Sequence, residues 1–310
     1  MKKKYLVLIS IFLPLLSIAN SLIPPAPIVN ASSYILIDDT TNKVILEYQA
    51  DAKNPPASLT KIMTSYLVEK QIERGVVALG DLVPISVKAW RAEGSKMFIR
   101  EGTKVLLSDL LRGVVIQSGN DASIALAEFI AGDENSFAQM MNTQAEELGM
   151  FNSRFVNSTG LPDTEHYSSA RDLAVLTVDL IRKYPKHYEL YSERSFKFNN
   201  IEQPNRNRLL RYDRSVDGVK TGYTRAAGYC LIASAEREGM RLISVVMGAD
   251  SDDSRVRESQ KLLTYGFRNF ETIEIYQENE VVKTAPLFYG EKDKISLGID
   301  KGLSLSLIHI

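Results

Sequence analysis

The pattern of apolar and polar positions predicts a β-hairpin near the start of the chain. Residues 34–37 form a short apolar run, residues 38–42 are turn-forming, and residues 43–48 form a second strand-like run. Pro55 and Pro56 follow, and a helix is expected to begin at Ser58 and to run to about Gly75, because prolines often precede a helix start. The first part of the chain is therefore predicted to be a hairpin followed by one long helix.

The middle of the chain has the apolar spacing of helices. Residues 83–87 are first expected to form a short strand and residues 90–96 a polar loop. Helices are then predicted at residues 107–117, 122–131, 134–148 and 170–182. Ser108 is the expected N-cap of the first, and the run of Ala, Ile and Leu in the second predicts that it is fully buried.

The last third of the chain changes to a strand pattern. Strands are expected at residues 195–199, 217–221, 228–236 and 240–248. They are interpreted as an antiparallel meander, and a final helix is expected at residues 254–270. A hairpin, a block of helices, strands and a last helix predict an α+β fold, in which an antiparallel sheet is assembled from both ends of the chain beside a helical lobe.

Composition separates two flanking segments from this domain. Residues 1–19 have three lysines, an apolar stretch and a small-x-small end, which predict a cleaved secretory signal, with an uncleaved anchor as the alternative. Residues 271–310 are short-stranded and charged, and they predict the start of a β-rich second domain that looks incomplete. The large domain between them is expected at residues 32–270, and the mature chain is expected outside the cytosol.

Charge and reactive side chains exclude several classes of function. The 37 basic residues balance 38 acidic ones, so no nucleic-acid partner is expected. Cys230 is the single cysteine, which rules out an intramolecular disulfide, and its apolar neighbours predict that it is buried. His166, His187 and His309 form no metal-spaced cluster and no HExxH motif, so a metal site, a cofactor and a zinc hydrolase are not expected.

Ser58 and Lys61 are the first candidate catalytic pair. They lie three residues apart at the start of a predicted helix, so both side chains fall on one face and the amine can activate the hydroxyl. This spacing occurs by chance in chains of this length. Taken alone, it favours a capped surface helix over a catalytic pair.

Two further motifs follow the pair in the chain. Residues 118–120 read Ser-Gly-Asn and residues 220–222 read Lys-Thr-Gly, each once. The three motifs in this order are similar to those of serine β-lactamases and penicillin-binding proteins. With the runs at residues 168–172, 216–222 and 262–267, the chain resembles the D-alanyl-D-alanine carboxypeptidases, which are low-molecular-mass penicillin-binding proteins of the peptidase S11 type. Residues 32–270 are then the expected catalytic domain, with the transpeptidase fold of that family.

The resemblance implies a role for each motif residue. Ser58 would attack the carbonyl between two D-alanines and form an acyl-enzyme, and Lys61 would be the base, its pKa lowered by burial beside Lys220. Ser118 would relay a proton, and Asn120 would hold Lys61 and the substrate backbone. The expected oxyanion hole is formed by two backbone N–H groups, and a cationic subsite binds the substrate carboxylate. The residues expected in these binding roles are Ser58, Lys220, Thr221, Gly222, Tyr223 and Arg255.

The sequence departs from the family pattern at two places. Tyr223 stands where close relatives often carry histidine, and the loop at residues 94–96 is shorter, with Lys96 in place of a common serine. Both departures bear on hydrolysis of the acyl-enzyme and not on its formation. Glu165 lacks the surroundings of the deacylating glutamate of class A β-lactamases, so it is predicted to be a solvated loop residue.

The predicted function is a serine DD-carboxypeptidase that trims peptidoglycan stem peptides ending in D-Ala-D-Ala and binds β-lactams covalently. A serine β-lactamase and a non-catalytic peptidoglycan-binding protein are the alternatives. The signal predicts a periplasmic location on the outer face of the bacterial inner membrane. Membrane association would require a C-terminal anchor that is not present in this sequence.

Overall fold

The computed structural model describes residues 24–290 and 292–308, so the predicted signal at residues 1–19 lies outside the described residues. The helices are α1 (Lys61–Glu73), α2 (Val87–Arg91), α3 (Leu107–Arg112), α4 (Asn120–Ala131), α5 (Glu134–Glu147), α6 (Ala170–Lys183), α7 (Pro185–Tyr188), α8 (Leu209–Tyr212) and α9 (Asp252–Asn269). The strands are β1 (Ser33–Asp38), β2 (Val44–Tyr48), β3 (Leu82–Pro84), β4 (Lys104–Leu106), β5 (Ser195–Phe198), β6 (Ile201–Pro204), β7 (Val216–Thr224), β8 (Gly228–Arg237), β9 (Met240–Ala249), β10 (Phe270–Tyr276), β11 (Val281–Pro286), β12 (Lys294–Gly298) and β13 (Leu303–Ile308).

The central sheet joins the two ends of the catalytic domain, as the sequence predicts. Its five strands have the order β2-β1-β9-β8-β7, and every neighbouring pair is antiparallel. The N-terminal hairpin therefore pairs with the last strand of the C-terminal meander, with Ile35 opposite Val245. This arrangement confirms the α+β class and places β7, which carries the Lys-Thr-Gly motif, at an edge of the sheet.

The two faces of the sheet bury alternate residues of each strand. Leu36 and Leu242 pack with Leu262 and Leu263 of α9 on one face. Ile35 packs on the other face, in a cluster that includes side chains of α1, α5 and α6. Because successive strand residues point to opposite faces, the apolar run of β1 serves two cores and needs no polar alternation.

The helical lobe has a core of its own. Buried side chains of α3 pack against those of α4, with further contributions from β3 and from the segment before β4. A π-helical turn at Gly113–Gln117 follows α3, and Ser118 ends it in a left-handed conformation with φ of 65°. The predicted break between two helical runs is confirmed but is shorter than expected, because α4 already begins at Asn120.

Three local predictions were wrong. Residues 195–199 do not join the central meander, because β5 turns back through Asn199 and Asn200, both at positive φ, and pairs with β6 in a separate hairpin. Residues 87–91, which were expected to be the end of a strand and the start of a loop, form α2. Ser86 caps that helix by accepting the N–H of Ala89. Ser108 lies inside α3 and is not its cap.

A β-rich second domain follows α9, as expected. β10 pairs with β13 and β11 pairs with β12, each antiparallel. A hydrogen bond of 2.7 Å from Thr272 Oγ1 to Asp38 Oδ2 joins the first of these strands to the hairpin of the central sheet. The boundary near residue 270 stays a prediction. Within residues 24–290 and 292–308, no helix combines the length and the apolar character that a bilayer crossing requires.

We expect Leu36→Ala to weaken the fold without changing the chemistry. Leu36 is fully buried between the sheet and α9, so removing its side chain leaves a cavity that costs about 2–5 kcal/mol of unfolding free energy. Denaturant unfolding measures this loss. Leu82→Ala is the control, because Leu82 is 55% exposed and its truncation should cost less than about 0.5 kcal/mol. Equal losses in both variants would contradict this assignment of the core.

Candidate active site

Ser58 lies in a tight turn that two glycines approach from opposite sides. The turn is a 3-10 helix at Ala57–Thr60 that continues into α1, and Ala57 has a left-handed φ of 47°. A Cβ on Gly222 would lie 3.2 Å from Ser58 N, and a Cβ on Gly160 would lie 1.8 Å from Ala57 O. The strained backbone before Ser58 is therefore held between an edge strand and a loop, as strained backbone at functional sites must be.

The Lys61 amine lies beside the Ser58 hydroxyl, as the spacing predicts. Lys61 is 1% exposed, and its Nζ is 3.1 Å from Ser58 Oγ. It also donates to Asn120 Oδ1 at 2.7 Å and to the carbonyl of Thr159 at 2.6 Å. A neutral amine has two N–H groups and one lone pair. Since the other two partners only accept, the lone pair of neutral Lys61 is left for the Ser58 proton.

Burial, together with the smaller effect of the positive charge of Arg206, lowers the pKa of Lys61 to about 7. We expected burial beside Lys220 to lower this pKa. The direction and the main cause, burial, are confirmed, and Arg206 is the cation whose charge adds to the effect. Burial also lowers the pKa of Lys220 well below its usual value, and the charges of Lys61, Arg206 and Arg255 add to that shift. Repulsion between two charged amines is mutual, so it disfavours the state in which Lys61 and Lys220 both carry a proton.

A turn closed by the Asn157 side chain fixes the Thr159 carbonyl, which accepts a hydrogen bond from Lys61. Asn157 Oδ1 accepts the N–H groups of Thr159 at 3.1 Å and of Gly160 at 2.7 Å. Glu134 Oε1 accepts both the N–H and the hydroxyl of Ser158, whose carbonyl in turn accepts from Thr64 in α1. The loop is thus anchored at Ser158 to both α5 and α1, directly before the Thr159 carbonyl.

A buried histidine ties the same loop to the Ser58 turn. His166 Nδ1 accepts the Val156 N–H, so the proton lies on Nε2, which donates to Thr60 Oγ1 at 2.8 Å. Burial lowers the pKa of His166 to about 4, which keeps the ring neutral in this arrangement. His166 acts here as a fixed hydrogen-bond donor beside the nucleophile turn.

Ser118 and Asn120 reach the site from the break between α3 and α4. The amide of Asn120 is used on both sides, since Oδ1 accepts from Lys61 and Nδ2 donates to Glu93 O at 2.6 Å. Ser118 is buried, and its Oγ has no hydrogen-bond partner among the described residues. A buried hydroxyl without a partner is costly, so its location here indicates a functional rather than a structural role.

β7 brings the third motif to the nucleophile. Lys220 is buried, and its Nζ donates to Thr221 O at 3.3 Å. Thr221 is also buried, while Tyr223 is 54% exposed and its ring packs against that of Tyr229, tilted by 34° with ring centroids 4.3 Å apart. Because β7 is an edge strand, its outer side has backbone groups without a neighbouring strand, next to Ser58.

Arg255 contacts β7 from α9. Its Nη1 donates to the carbonyls of Gly222 at 3.0 Å and Cys230 at 3.3 Å, and its Nη2 pairs with Asp252. Its Nε has no partner among the described residues. Arg206 is a second cation at the site and is exposed; its Nε donates to Gln117 O at 2.9 Å, next to Ser118.

The predicted site residues therefore converge, with a few differences. The structure brings together Ser58, Lys61, Ser118, Asn120, Lys220, Thr221, Gly222, Tyr223 and Arg255. Glu165 is 61% exposed with Arg154 as its ionic neighbour, as expected for a solvated loop residue. This arrangement has a serine nucleophile, a neutral amine base and cations for an anionic substrate, which is suited to acyl transfer.

Comparison with known proteins identifies the family. The family model of D-alanyl-D-alanine carboxypeptidases matches residues 20–251, and that of the C-terminal domain of penicillin-binding protein 5 matches residues 270–308. The chain belongs to the D-alanyl-D-alanine carboxypeptidase family. The D-alanyl-D-alanine carboxypeptidase DacA of Escherichia coli K12 is 45% identical over 296 residues, which is 93% of this chain and 73% of that relative.

Solved structures agree with this assignment. Penicillin-binding protein 5 of Haemophilus influenzae matches with a TM-score of 0.88 at 41% identity, over 92% of this chain and 84% of that one. Penicillin-binding protein D2 of Listeria monocytogenes, solved in an ampicillin-bound form, matches with a TM-score of 0.73 at 29% identity, over 79% of this chain and 100% of that one. The predicted family, fold and DD-carboxypeptidase function are confirmed, and neither alternative function is favoured.

Sequence reasoning missed two residues that touch or tune the base. Thr159 contributes a carbonyl, which every residue type has, so its identity gives no signal. The turn residues Asn157 and Gly160 mark the loop, but not the direction in which its carbonyl points. Arg206 acts through its charge, and only the folded chain places it against the turn that ends at Ser118.

We expect Gly160→Ala to slow acylation strongly. The new Cβ would clash with the Ala57 carbonyl at 1.8 Å and displace the nucleophile turn, and misplacements of about 1 Å can cost about 100-fold in rate. Gly132→Ala is the matched control, because Gly132 has the same positive φ (84° against 80°) but no atom within 4 Å of the added Cβ. The rate of labelling by a fluorescent penicillin measures the effect. Equal rates in both variants would contradict the proposed contact.

Proposed function

We propose that this chain removes the terminal D-alanine from peptidoglycan stem peptides through an acyl-enzyme on Ser58. The observation that carries the proposal is the buried Lys61 amine, 3.1 Å from Ser58 Oγ and with its pKa lowered to about 7. An amine in this state is neutral in a large fraction of molecules near neutral pH, so it can accept the Ser58 proton. The proposal adds a serine mechanism to the carboxypeptidase function of the family.

In acylation, Lys61 takes the proton of Ser58 while Oγ bonds to the carbonyl carbon of the penultimate D-alanine. The backbone N–H groups of Ser58 and Tyr223 stabilise the oxyanion, and the close approach of Gly222 to Ser58 N supports this pairing. When the tetrahedral intermediate collapses, the C–N bond breaks and the leaving amine receives a proton through Ser118. The products are the Ser58 ester and free D-alanine.

In deacylation, a water molecule attacks the ester and the proton returns to Ser58. Neutral Lys61 serves again as the base, because its two carbonyl acceptors hold it in place throughout. β-Lactams enter the same path as far as the ester, since their ring amide mimics the scissile bond. The chain is therefore proposed to bind penicillin covalently at Ser58.

The substrate carboxylate is proposed to bind at the cluster of cations beside β7. The charges of Arg206 and Arg255 lower the pKa of Lys220, Arg255 also lowers that of Arg206, and Thr221 lies on the same strand as Lys220. A group of positive charges that Asp252 balances only in part favours an anion. The extended peptide is proposed to lie along the open edge of β7, where backbone hydrogen bonds give affinity.

The proposed place of action is the periplasm, on the outer face of the inner membrane. The support is the charged and apolar pattern of residues 1–19, which is typical of a secretory signal. Peptidoglycan is also located outside the cytosol, so the substrate and the export signal are consistent with each other. Cell fractionation that compares the full chain with a variant lacking residues 1–19 tests this location.

We expect Ser58→Ala to abolish both D-alanine release from a D-Ala-D-Ala peptide and the penicillin adduct. The hydroxyl is the atom that forms the ester, so no other group replaces it. Mass spectrometry of the labelled protein locates the adduct, and Ser192→Ala, which removes an exposed hydroxyl, should leave labelling unchanged. Labelling that survives in Ser58→Ala would refute the mechanism. Rapid penicillin turnover without D-alanine release would support a β-lactamase instead.

We expect Arg206→Gln to move the acid limb of the pH–rate profile of acylation to higher pH. Acylation needs neutral Lys61, so the rate rises with pH through the pKa of that amine, and the Arg206 charge lowers this pKa. Without that charge the pKa rises, and a higher pH is needed for the same neutral fraction. Penicillin labelling from mildly acidic to mildly alkaline pH measures the shift. The control is Arg211→Gln, an exposed arginine in the next helix; an equal shift there would contradict the assignment.

A further inference from the structure

Asp121 is a buried carboxylate to which the mechanism above assigns no role. It follows Asn120 in α4 and is 1% exposed. Its Oδ1 accepts the N–H groups of Met97 and Ala122, both at 2.9 Å, and its Oδ2 accepts those of Phe98 at 2.9 Å and Ile99 at 3.3 Å. Three of these four donors belong to one segment of the chain, so the carboxylate anchors that segment to the start of α4.

The anchored segment is the loop at residues 93–99, and it binds Asn120 directly. Glu93 O accepts from Asn120 Nδ2 at 2.6 Å, and Ser95 O accepts from the Asn120 backbone N–H at 2.7 Å. A Cβ on Gly94 would lie 2.9 Å from Asn120 Nδ2, so the loop presses against the amide between these two bonds. The orientation of the Asn120 amide is therefore set by this loop.

The loop is held in a conformation that it would not adopt alone. Phe98 has a φ of 68°, which is unfavourable for a bulky residue, and its ring is half exposed, so burial of the ring does not compensate for the strain. The Asp121 bonds to the N–H groups of Phe98 and Ile99 lie on either side of that strained residue. Strain of this kind persists only where surrounding contacts impose it.

Asn120 connects the loop at residues 93–99 to Lys61, the proposed base. Asn120 Oδ1 accepts from Lys61 at 2.7 Å, and it is one of the two acceptors that leave the Lys61 lone pair free for Ser58. An Asn120 amide that rotated would offer Lys61 its NH₂ group, which cannot accept a hydrogen bond. The Lys61 amine would then use a different partner, and its lone pair would no longer be reserved for Ser58.

We propose that Asp121 is a positioning residue of the catalytic centre, which fixes the loop at residues 93–99 so that its carbonyls hold the Asn120 amide in the orientation that orders Lys61. This inference rests on the proposed function, because it assumes that Lys61 is the base. The carboxylate has a second effect through its charge. Asp121 and Glu134 are the negative groups that favour charged Lys61, and they oppose the charge of Arg206. Lys220 and His166 also interact with the amine, but burial favours the neutral form of each.

The decisive variant is Asp121→Asn. Its amide has the shape of the carboxylate but turns an NH₂ group towards two backbone donors, so half of the anchor is lost. We expect kcat for D-alanine release to fall about 10- to 100-fold with KM little changed, as for a misplaced catalytic group. The acid limb of penicillin acylation should move to lower pH, because removal of the negative charge lowers the pKa of Lys61.

Two controls separate position from charge and from stability. Asp38→Asn changes another buried carboxylate, which accepts the backbone N–H groups of Thr40 and Thr41 in a turn. Asp38 lies at the end of β1, opposite Leu242. It should lower the melting temperature and leave kcat and the acid limb unchanged. Glu134→Gln removes a negative charge near Lys61 while its amide oxygen can still accept from Ser158, so it should move the acid limb with a smaller loss of kcat.

Gly94→Ala tests the loop if Asp121→Asn does not fold. Its Cβ would displace the same loop from Asn120 without touching Asp121, so kcat should fall while the acid limb stays in place. A wild-type kcat in folded Asp121→Asn or in Gly94→Ala would overturn the proposal. The proposal would also be overturned if Asp121→Asn lost no more kcat than Asp38→Asn does and its acid limb did not shift. If the Ser58 ester does not form in the wild-type chain, the proposed function fails and this inference fails with it. If the wild-type chain forms the ester and Asp121→Asn forms it at the wild-type rate, the inference alone fails.

Discussion

A buried, neutralised lysine amine is the constraint on which the rest of this structure depends. Lys61 lies in the core of the molecule with three hydrogen-bond partners and no carboxylate in contact with its Nζ among the described residues. Burying an amine without a countercharge costs free energy, and the lowered pKa expresses that cost. The protein retains it because the same burial converts the amine into a base near neutral pH.

The fold supplies the surroundings that such an amine needs. Its partners come from four places far apart in the sequence: the turn at Ser58, the start of α4 at Asn120, the loop at Thr159 and the edge strand at Lys220. The sheet holds the last of these next to the first because β7 ends the order β2-β1-β9-β8-β7 beside the helical lobe. Small residues at Gly160 and Gly222 let the segments come close enough for these bonds to form.

What the sequence could predict follows from which interactions are local. Ser58 and Lys61 were found because a helix brings positions three apart onto one face, and the two later motifs gave the family. The strand β6 was missed although Asn199 and Asn200 are residues that favour a tight hairpin turn. Thr159 and Arg206 could not be found, because one acts through a backbone carbonyl and the other through a charge whose distance to Lys61 exists only in the folded chain.

The electrostatics of the proposed cycle change when the leaving group departs. In the proposed complex, the substrate carboxylate lies beside Arg206 and partly cancels the positive charge that lowers the pKa of Lys61. Once D-alanine leaves, that negative charge is gone and the pKa of Lys61 falls again. The amine then releases its proton more readily at the stage when it must activate water.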